Sequence, residues 1–271
     1  MRSFGASHRS AWFHPDILQQ ATEAQLPRSA PRLSLSRVLE RVETGADGVR
    51  PLKRGAISDV FRVSQTGRRD DVVVKRFYFP KLKHRMERWL RVDRYSRSVR
   101  SQGAVQRAGV STPALYAHGL SGSRLAPDYA FLVFDALRRT VPLLVYWDTL
   151  PPEQKEPFAR SLCRFVRRCH DGRLFLHDLI KNIEVSTGQA GWQFSLVDLA
   201  CARHTPGPNL RRRGRDLAHV FRELHLDELW APEQLLDCYM AAGSHRHRYS
   251  RTVLPFWLQW GLRRFDRRLS R

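Results

Sequence analysis

A chain of 271 residues with 42% hydrophobic content is long enough to bury a real core, as one large domain or two lobes, and its composition excludes disorder throughout. Lys and Arg number 47 against 26 Asp and Glu, a formal net charge of +21 at pH 7, so the surface calls for an anionic partner such as nucleic acid, anionic lipid or a phosphorylated substrate. The four cysteines, Cys163, Cys169, Cys201 and Cys238, form no Cys-x-x-Cys pair and have no histidine at zinc-ligand spacing, which excludes a zinc site or disulfide framework of the familiar kinds and leaves a reducing cytosol as the expected compartment.

The opening residues lack an apolar core of signal-peptide length, and no run of roughly eighteen apolar residues follows, so neither export by that route nor a membrane span is expected. Residues 1–45 read as an N-terminal extension with one helix over Leu33 to Val42. Pro51 to Val63 alternates apolar and polar residues around Gly55, a strand–turn–strand pattern, and Asp71 to Tyr78 is a third strand rich in β-branched residues. The basic stretch from Lys81 to Ala108 has few helix breakers and ends at Gly109 with Pro113 beyond, which predicts one or two helices. Two further strands, Ala114 to His118 and Tyr129 to Phe134, flank the loop at Ser121 to Ser123.

From Pro151 the period changes. Phe158, Leu162, Phe165, Val166 and Cys169 repeat at three- and four-residue steps along an amphipathic helix that ends near Asp171 and Gly172. Phe175 to Asp198 then reads as a loop with Asp178 and Asn182, a strand from Ile183 to Val185, a turn at Ser186 to Gly188, and a strand from Gln193 to Asp198. Helices follow over Arg215–Leu226, Pro232–Ala242 and Val253–Leu269. Strands first and helices after predict an α+β, two-lobed architecture: an extension over 1–45, a strand-rich lobe over 46–136 and a helical lobe over 137–271.

The ordered set Lys53-Arg-Gly-Ala-Ile-Ser-Asp-Val-Phe-Arg-Val63, Val72-Val-Val-Lys-Arg-Phe77, Gln106 to Pro113, Leu176-His-Asp-Leu-Ile-Lys-Asn-Ile183, Leu196-Val-Asp-Leu199 and Arg211 to Leu217 resembles a protein-kinase-like enzyme, specifically the lipopolysaccharide kinase group known as the Kdo/WaaP or InaA-like family. The resemblance covers roughly residues 50 to 230. It implies a two-lobed protein-kinase-like fold, ATP and Mg2+ as cofactors, and transfer of a γ-phosphate to a sugar hydroxyl of the lipopolysaccharide inner core. By the same resemblance Asp178 would orient and deprotonate the attacking hydroxyl, Asn182 and Asp198 would hold the metal, Lys75 would clamp the α- and β-phosphates, and Gly55 and Ser58 would lie in the loop over them. Asp216 would brace the catalytic loop from behind, and His177 would pack or shape it.

Three departures from the kinase pattern bear on the chemistry. Asn182 follows Asp178 by four positions where the signature has five. Asp198-Leu-Ala stands in place of Asp-Phe-Gly, losing that glycine's backbone freedom while keeping the carboxylate. In the helical stretch before Gly109 the only acids near enough to pair with Lys75 are Glu87 and Asp93, and both lie early.

The last segment sets Trp257, Trp260 and Phe265 among five arginines, as either an interfacial amphipathic helix or a core-packed helix with a solvated basic face. The run from His245 to Arg248 reads as a solvated loop. The charge suits a lipopolysaccharide precursor or another anionic glycolipid held at the cytoplasmic face of an anionic membrane, with the enzyme cytoplasmic and peripheral there. A nucleotide-binding module without transfer, or a kinase with another small-molecule or protein acceptor, is the alternative. No recognition helix, zinc finger or stacking motif points to specific nucleic-acid binding, and the sequence is silent on oligomeric state.

Overall fold

Five antiparallel strands, with a helix on one face, carry the first part of the chain. The computed structural model describes residues 35–64, 71–122, 127–176, 178–189, 191–204, 209–242 and 248–269. Residues 1–34, Ser123, His177, residues 245–247 and the side chain of Phe265 lie outside that description. Contacts divide the chain into two units, one holding the residues up to Tyr95 with Ala114–Ala136, the other Ser96–Pro113 with Leu137–Arg271.

In the first unit, helix α1 (Leu35–Thr44) precedes β1 (Val49–Lys53), β2 (Ser58–Val63) and β3 (Val72–Tyr78), and β4 (Leu115–Gly122) and β5 (Pro127–Asp135) complete a sheet of order β1-β2-β3-β5-β4. Strand alternation divides β3 between two faces. Val72 and Val74 enter a core with Phe61, Val63, Phe131 and Val133, onto which α1 lowers Val38, Leu39 and Val42. The helix expected near Leu33 to Val42 is therefore part of this unit's core rather than an appendage. Arg76 lies on the same face with its guanidinium 5.4 Å from the Phe61 ring centroid and 4.8 Å from that of Tyr129. Lys75 and Phe77 take the opposite face. The basic stretch after β3 forms two helices, α2 (Leu82–Trp89) and α3 (Arg94–Arg107).

The second unit takes the remainder of α3, whose Ala104 and Val105 join its core together with Val110 beyond the helix. Next come β6 (Val141–Pro142), α4 (Leu143–Thr149) and α5 (Pro152–Asp171), which buries Phe158, Leu162, Phe165, Val166 and Cys169 as its period predicts. After β7 (Leu174–Leu176), the strands β8 (Ile183–Gly188) and β9 (Gly191–Leu196) pair antiparallel in a sheet of order β6-β8-β9, while β10 (Ala202–His204) pairs with β7. The expected turn at Ser186 to Gly188 is instead strand. Ser186 pairs with Gln193 and Thr187 with Trp192, and the chain reverses between Gly188 and Gly191, where Gly191 adopts φ +94°, open to glycine at little cost.

Helices α6 (Leu210–Glu223), α7 (Pro232–Ala241) and α8 (Arg248–Leu269) close the unit. The last one is packed into the core along one face, through Leu254, Leu258 and Leu262. A Cβ at Gly214 of α6 would lie 2.6 Å from backbone and side-chain atoms of Trp257, so glycine is what lets α6 and α8 meet this closely. Two of the aromatic residues left open between a lipid interface and a packed helix serve this crossing: Arg211 sits 4.8 Å from the Trp260 ring centroid and 5.7 Å from that of Trp257. Phe256 remains 62% exposed on the outer side.

Candidate active site

Within the second unit, the β8–β9 hairpin assembles the residues expected to carry chemistry. The chain leaves β7, passes Asp178 and tightens into a 3-10 turn over Ile180–Asn182, where the Asn182 amide donates to the Leu179 carbonyl at 3.1 Å. Asn182 Nδ2 donates to the Asp178 carbonyl at 2.8 Å, closing the loop on itself and leaving the amide oxygen as the group the side chain presents. The ladder then runs one step past its last strand pair, Ile183 with Leu196, because the Val197 amide donates to the Asn182 carbonyl at 2.8 Å. Asn182 and Asp198 thus come to one end of the hairpin. A 3-10 turn rises about 2.0 Å per residue against about 1.5 Å in an α-helix, which offsets part of the missing residue between Asp178 and Asn182.

Asp198 is held at φ +49°, ψ +69°, capping the 3-10 turn Leu199–Cys201 with its carboxylate accepting from the Ala200 amide at 3.3 Å. A left-handed non-glycine residue costs on the order of 1 kcal/mol and persists where its surroundings over-determine it, as functional loops often arrange. Asp178 and Asp198 are both exposed. Among the described residues no group of three or more His, Cys, Asp or Glu side chains could hold a metal ion, so a cation here would draw on one carboxylate and one amide oxygen. That set of hard oxygen donors fits Mg2+, which keeps most of its shell as water and phosphate oxygen, better than zinc, which needs more protein ligands.

A buried polar network stands behind this loop. His170, near the end of α5, stacks on Phe175 of β7 with centroids 5.3 Å apart, and its Nδ1 lies 2.8 Å from the Tyr239 hydroxyl. Its Nε2 faces Asp216 Oδ2 of α6 at 3.4 Å, both side chains fully buried. Burial lowers the His170 pKa and outweighs the opposing pull of Asp216, so the ring is neutral. The contact with Asp216 is therefore dipolar, not a charged pair. Arg213 donates to the His170 carbonyl at 3.0 Å and to the Tyr239 hydroxyl at 3.1 Å, and reaches Asp171 Oδ1 at 3.1 Å. The Tyr239 hydroxyl, accepting from Arg213, has its own proton to give His170 Nδ1. Asp216 thus touches the end of α5, and Arg213, outwardly one more member of a basic run, shares in bracing the segment that delivers Asp178.

In the first unit, Gly55 and Ser58 lie at the β1–β2 turn. Asp59 ties it down: its Oδ1 accepts from the Gly55 amide at 3.0 Å and its Oδ2 from the Tyr78 hydroxyl at 2.8 Å. Ser58 pairs with Phe77 in the ladder and Val60 with Lys75, so the turn and the lysine share one antiparallel pair of strands. Lys75 is 9% exposed, with Nζ 5.2 Å from the Phe77 ring centroid. Of the two acids near it in sequence, Glu87 lies 3.9 Å from Lys83 and Asp93 is buried 3.6 Å from Arg88. Sequence reasoning missed Asp59 and Arg213.

No family model and no curated protein matches the sequence. Among solved structures, WaaP in complex with acyl carrier protein superposes with a TM-score of 0.56 at 21% identity, over 84% of this chain and 95% of that one. This chain has a protein-kinase-like, two-lobed α+β fold, shared with WaaP. The PknI kinase domain of Mycobacterium tuberculosis also matches, with a TM-score of 0.42 at 14% identity over 78% of this chain. The shared fold extends well beyond the motifs around Lys75, Asp178 and Asp198, since the WaaP match takes in most of both chains.

Proposed function

We propose that this chain is an ATP-dependent phosphotransferase that phosphorylates a sugar hydroxyl of the lipopolysaccharide inner core at the cytoplasmic face of the membrane. The observation that carries the reading is the closed loop at the hairpin end, where Asn182 bonds the Asp178 carbonyl and the ladder through Val197 brings Asp198 beside Asn182.

In this account Asp178, exposed and acceptor-only when ionised, receives the proton of the sugar hydroxyl as the oxygen attacks the γ-phosphorus, whose bond to the bridging oxygen breaks so that ADP leaves. Asn182 and Asp198 would hold Mg2+ through oxygen. When bound, Mg2+ supplies neutralisation of the charge that develops on the transferring phosphoryl group. Lys75 clamps the α- and β-phosphates, with its stem fixed in the central strand of the sheet, and the Gly55–Ser58 turn covers them. Asp59 acts at one remove, by fixing that turn.

The kinase-like fold shared with WaaP and the net charge of +21 support an anionic glycolipid as acceptor. Mass spectrometry of core oligosaccharide from a strain lacking this chain tests the assignment: loss of one phosphate is expected, and an unchanged core would overturn it.

A further inference from the structure

Helix α2 carries its polarity in reverse. A surface helix ordinarily turns its apolar stripe to the core and its charges to water. In α2 no residue is buried, and Leu82, Met86 and Trp89 are 74%, 56% and 78% exposed, with Leu90 and Val92 just past its end at 59% and 49%. At helical spacing Leu82, Met86, Trp89 and Leu90 fall on one outward face. The charged side instead meets the protein, since Arg88 lies 3.6 Å from the buried Asp93 and 5.1 Å from the Tyr95 ring centroid, and Arg85 Nε donates to the Phe79 carbonyl at 3.4 Å. Of the large hydrophobic side chains exposed among the described residues, most of the contiguous ones lie in this stretch.

The exposed side chains of Lys81, Lys83 and Arg91 border the stripe, and Glu87, beside Lys83, is the one carboxylate between residues 81 and 92. A tryptophan and aliphatic side chains framed by cations match the headgroup boundary of an anionic bilayer, where the rings settle and the cations meet lipid phosphate. A protein partner fits less well, because lysine is depleted at protein interfaces. We propose that α2 docks this chain on an anionic phospholipid surface, with Leu82, Met86 and Trp89 entering the headgroup boundary and Lys81, Lys83 and Arg91 engaging lipid phosphates.

This goes beyond the phosphotransfer reading and needs neither ATP nor a sugar acceptor to be tested. Full-length protein is sedimented with mixed phosphatidylglycerol/phosphatidylcholine vesicles and with phosphatidylcholine vesicles alone. The wild type is expected to bind the mixed vesicles, more weakly as salt rises, and the pure ones poorly. The triple variant Leu82→Ser, Met86→Ser, Trp89→Ser is expected to bind the mixed vesicles at least about tenfold more weakly. Its thermal midpoint should stay near the wild-type value, because none of the three side chains is buried. Brominated acyl chains should quench part of the wild-type tryptophan emission, and Trp89→Phe should remove that part.

Vesicle binding by the triple variant equal to that of the wild type, or no binding by the wild type, would overturn the proposal. Unchanged vesicle binding by the triple variant together with loss of a protein partner would do the same, and would assign the face to that partner.

Discussion

The side-chain amide of Asn182 donates to the backbone carbonyl of Asp178 at 2.8 Å. This one bond spans the four-residue step between the proposed base and the proposed metal ligand and holds the loop shut, so that the two keep a fixed relation. It also separates the two ends of the Asn182 side chain, with nitrogen committed to the loop and oxygen left for the proposed cation.

Separating those roles is the first prediction. Asn182→Ala removes both and should lower kcat by about a hundredfold. Asn182→Asp keeps an oxygen ligand but loses the donor, and part of the activity should return at raised Mg2+. Steady-state kinetics across a Mg2+ titration checks this, and equal loss in both variants at every Mg2+ concentration would contradict the division of labour.

Asp59 accepts from the Gly55 amide and from the Tyr78 hydroxyl, so it couples the turn to the strand of Lys75. Asp59→Ala leaves both donors without that acceptor and should cost about 1–2 kcal/mol in urea unfolding. Because Asp59 acts through the turn, the kinetic effect should fall mainly on KM for ATP rather than on kcat. A drop in kcat at unchanged KM would assign it a different role.

Burial lowers the His170 pKa, and the same cause lowers that of His118 in the first unit. The unfolded chain protonates histidine near pH 6.5 while the folded protein resists it, so the unfolded state binds more protons as pH falls below that value. The contribution is fully present above about pH 6.5 and is lost as pH falls toward the folded pKa. The thermal midpoint should therefore drop between pH 7 and pH 5, and His170→Gln should flatten that slope while lowering the midpoint at pH 7. A slope unchanged by His170→Gln would place the acid sensitivity elsewhere.

Much of the architecture was legible because its signals are periodic. The valine-rich run to Lys75 read as a strand, its place at the centre of the sheet being set only by pairing, and the spacing from Phe158 to Cys169 marked the buried face of α5. The meeting of Asn182 and Asp198 at one end of the hairpin followed from the order of loop, strand, turn and strand. Other features depend on partners distant in sequence. The hairpin turn lies at Gly188–Gly191 rather than at Ser186–Gly188, because pairing continues as long as Ser186 and Thr187 find partners in Gln193 and Trp192, and the glycines allow reversal only there.

Arg213 reads as one cation in a basic run, and only its place one turn ahead of Asp216, on the face of Leu217, hints that it is buried. Asp59 gives no signal beyond lying four residues after a glycine. For α2, the apolar spacing of Leu82, Met86 and Trp89 was present in the sequence, yet spacing does not say whether a stripe faces core or solvent. That direction is set by Arg88, which turns inward to Asp93 and Tyr95.

The central claim is tested most directly by following radiolabelled γ-phosphate from ATP to purified inner-core glycolipid with the wild type, Asp178→Asn and Asp198→Asn. The account predicts transfer by the wild type and a fall of about a hundredfold or more in each variant, with folding unaltered because both side chains are exposed. Wild-type transfer rates in both variants, or no transfer by the folded wild type in the presence of Mg2+, would contradict it.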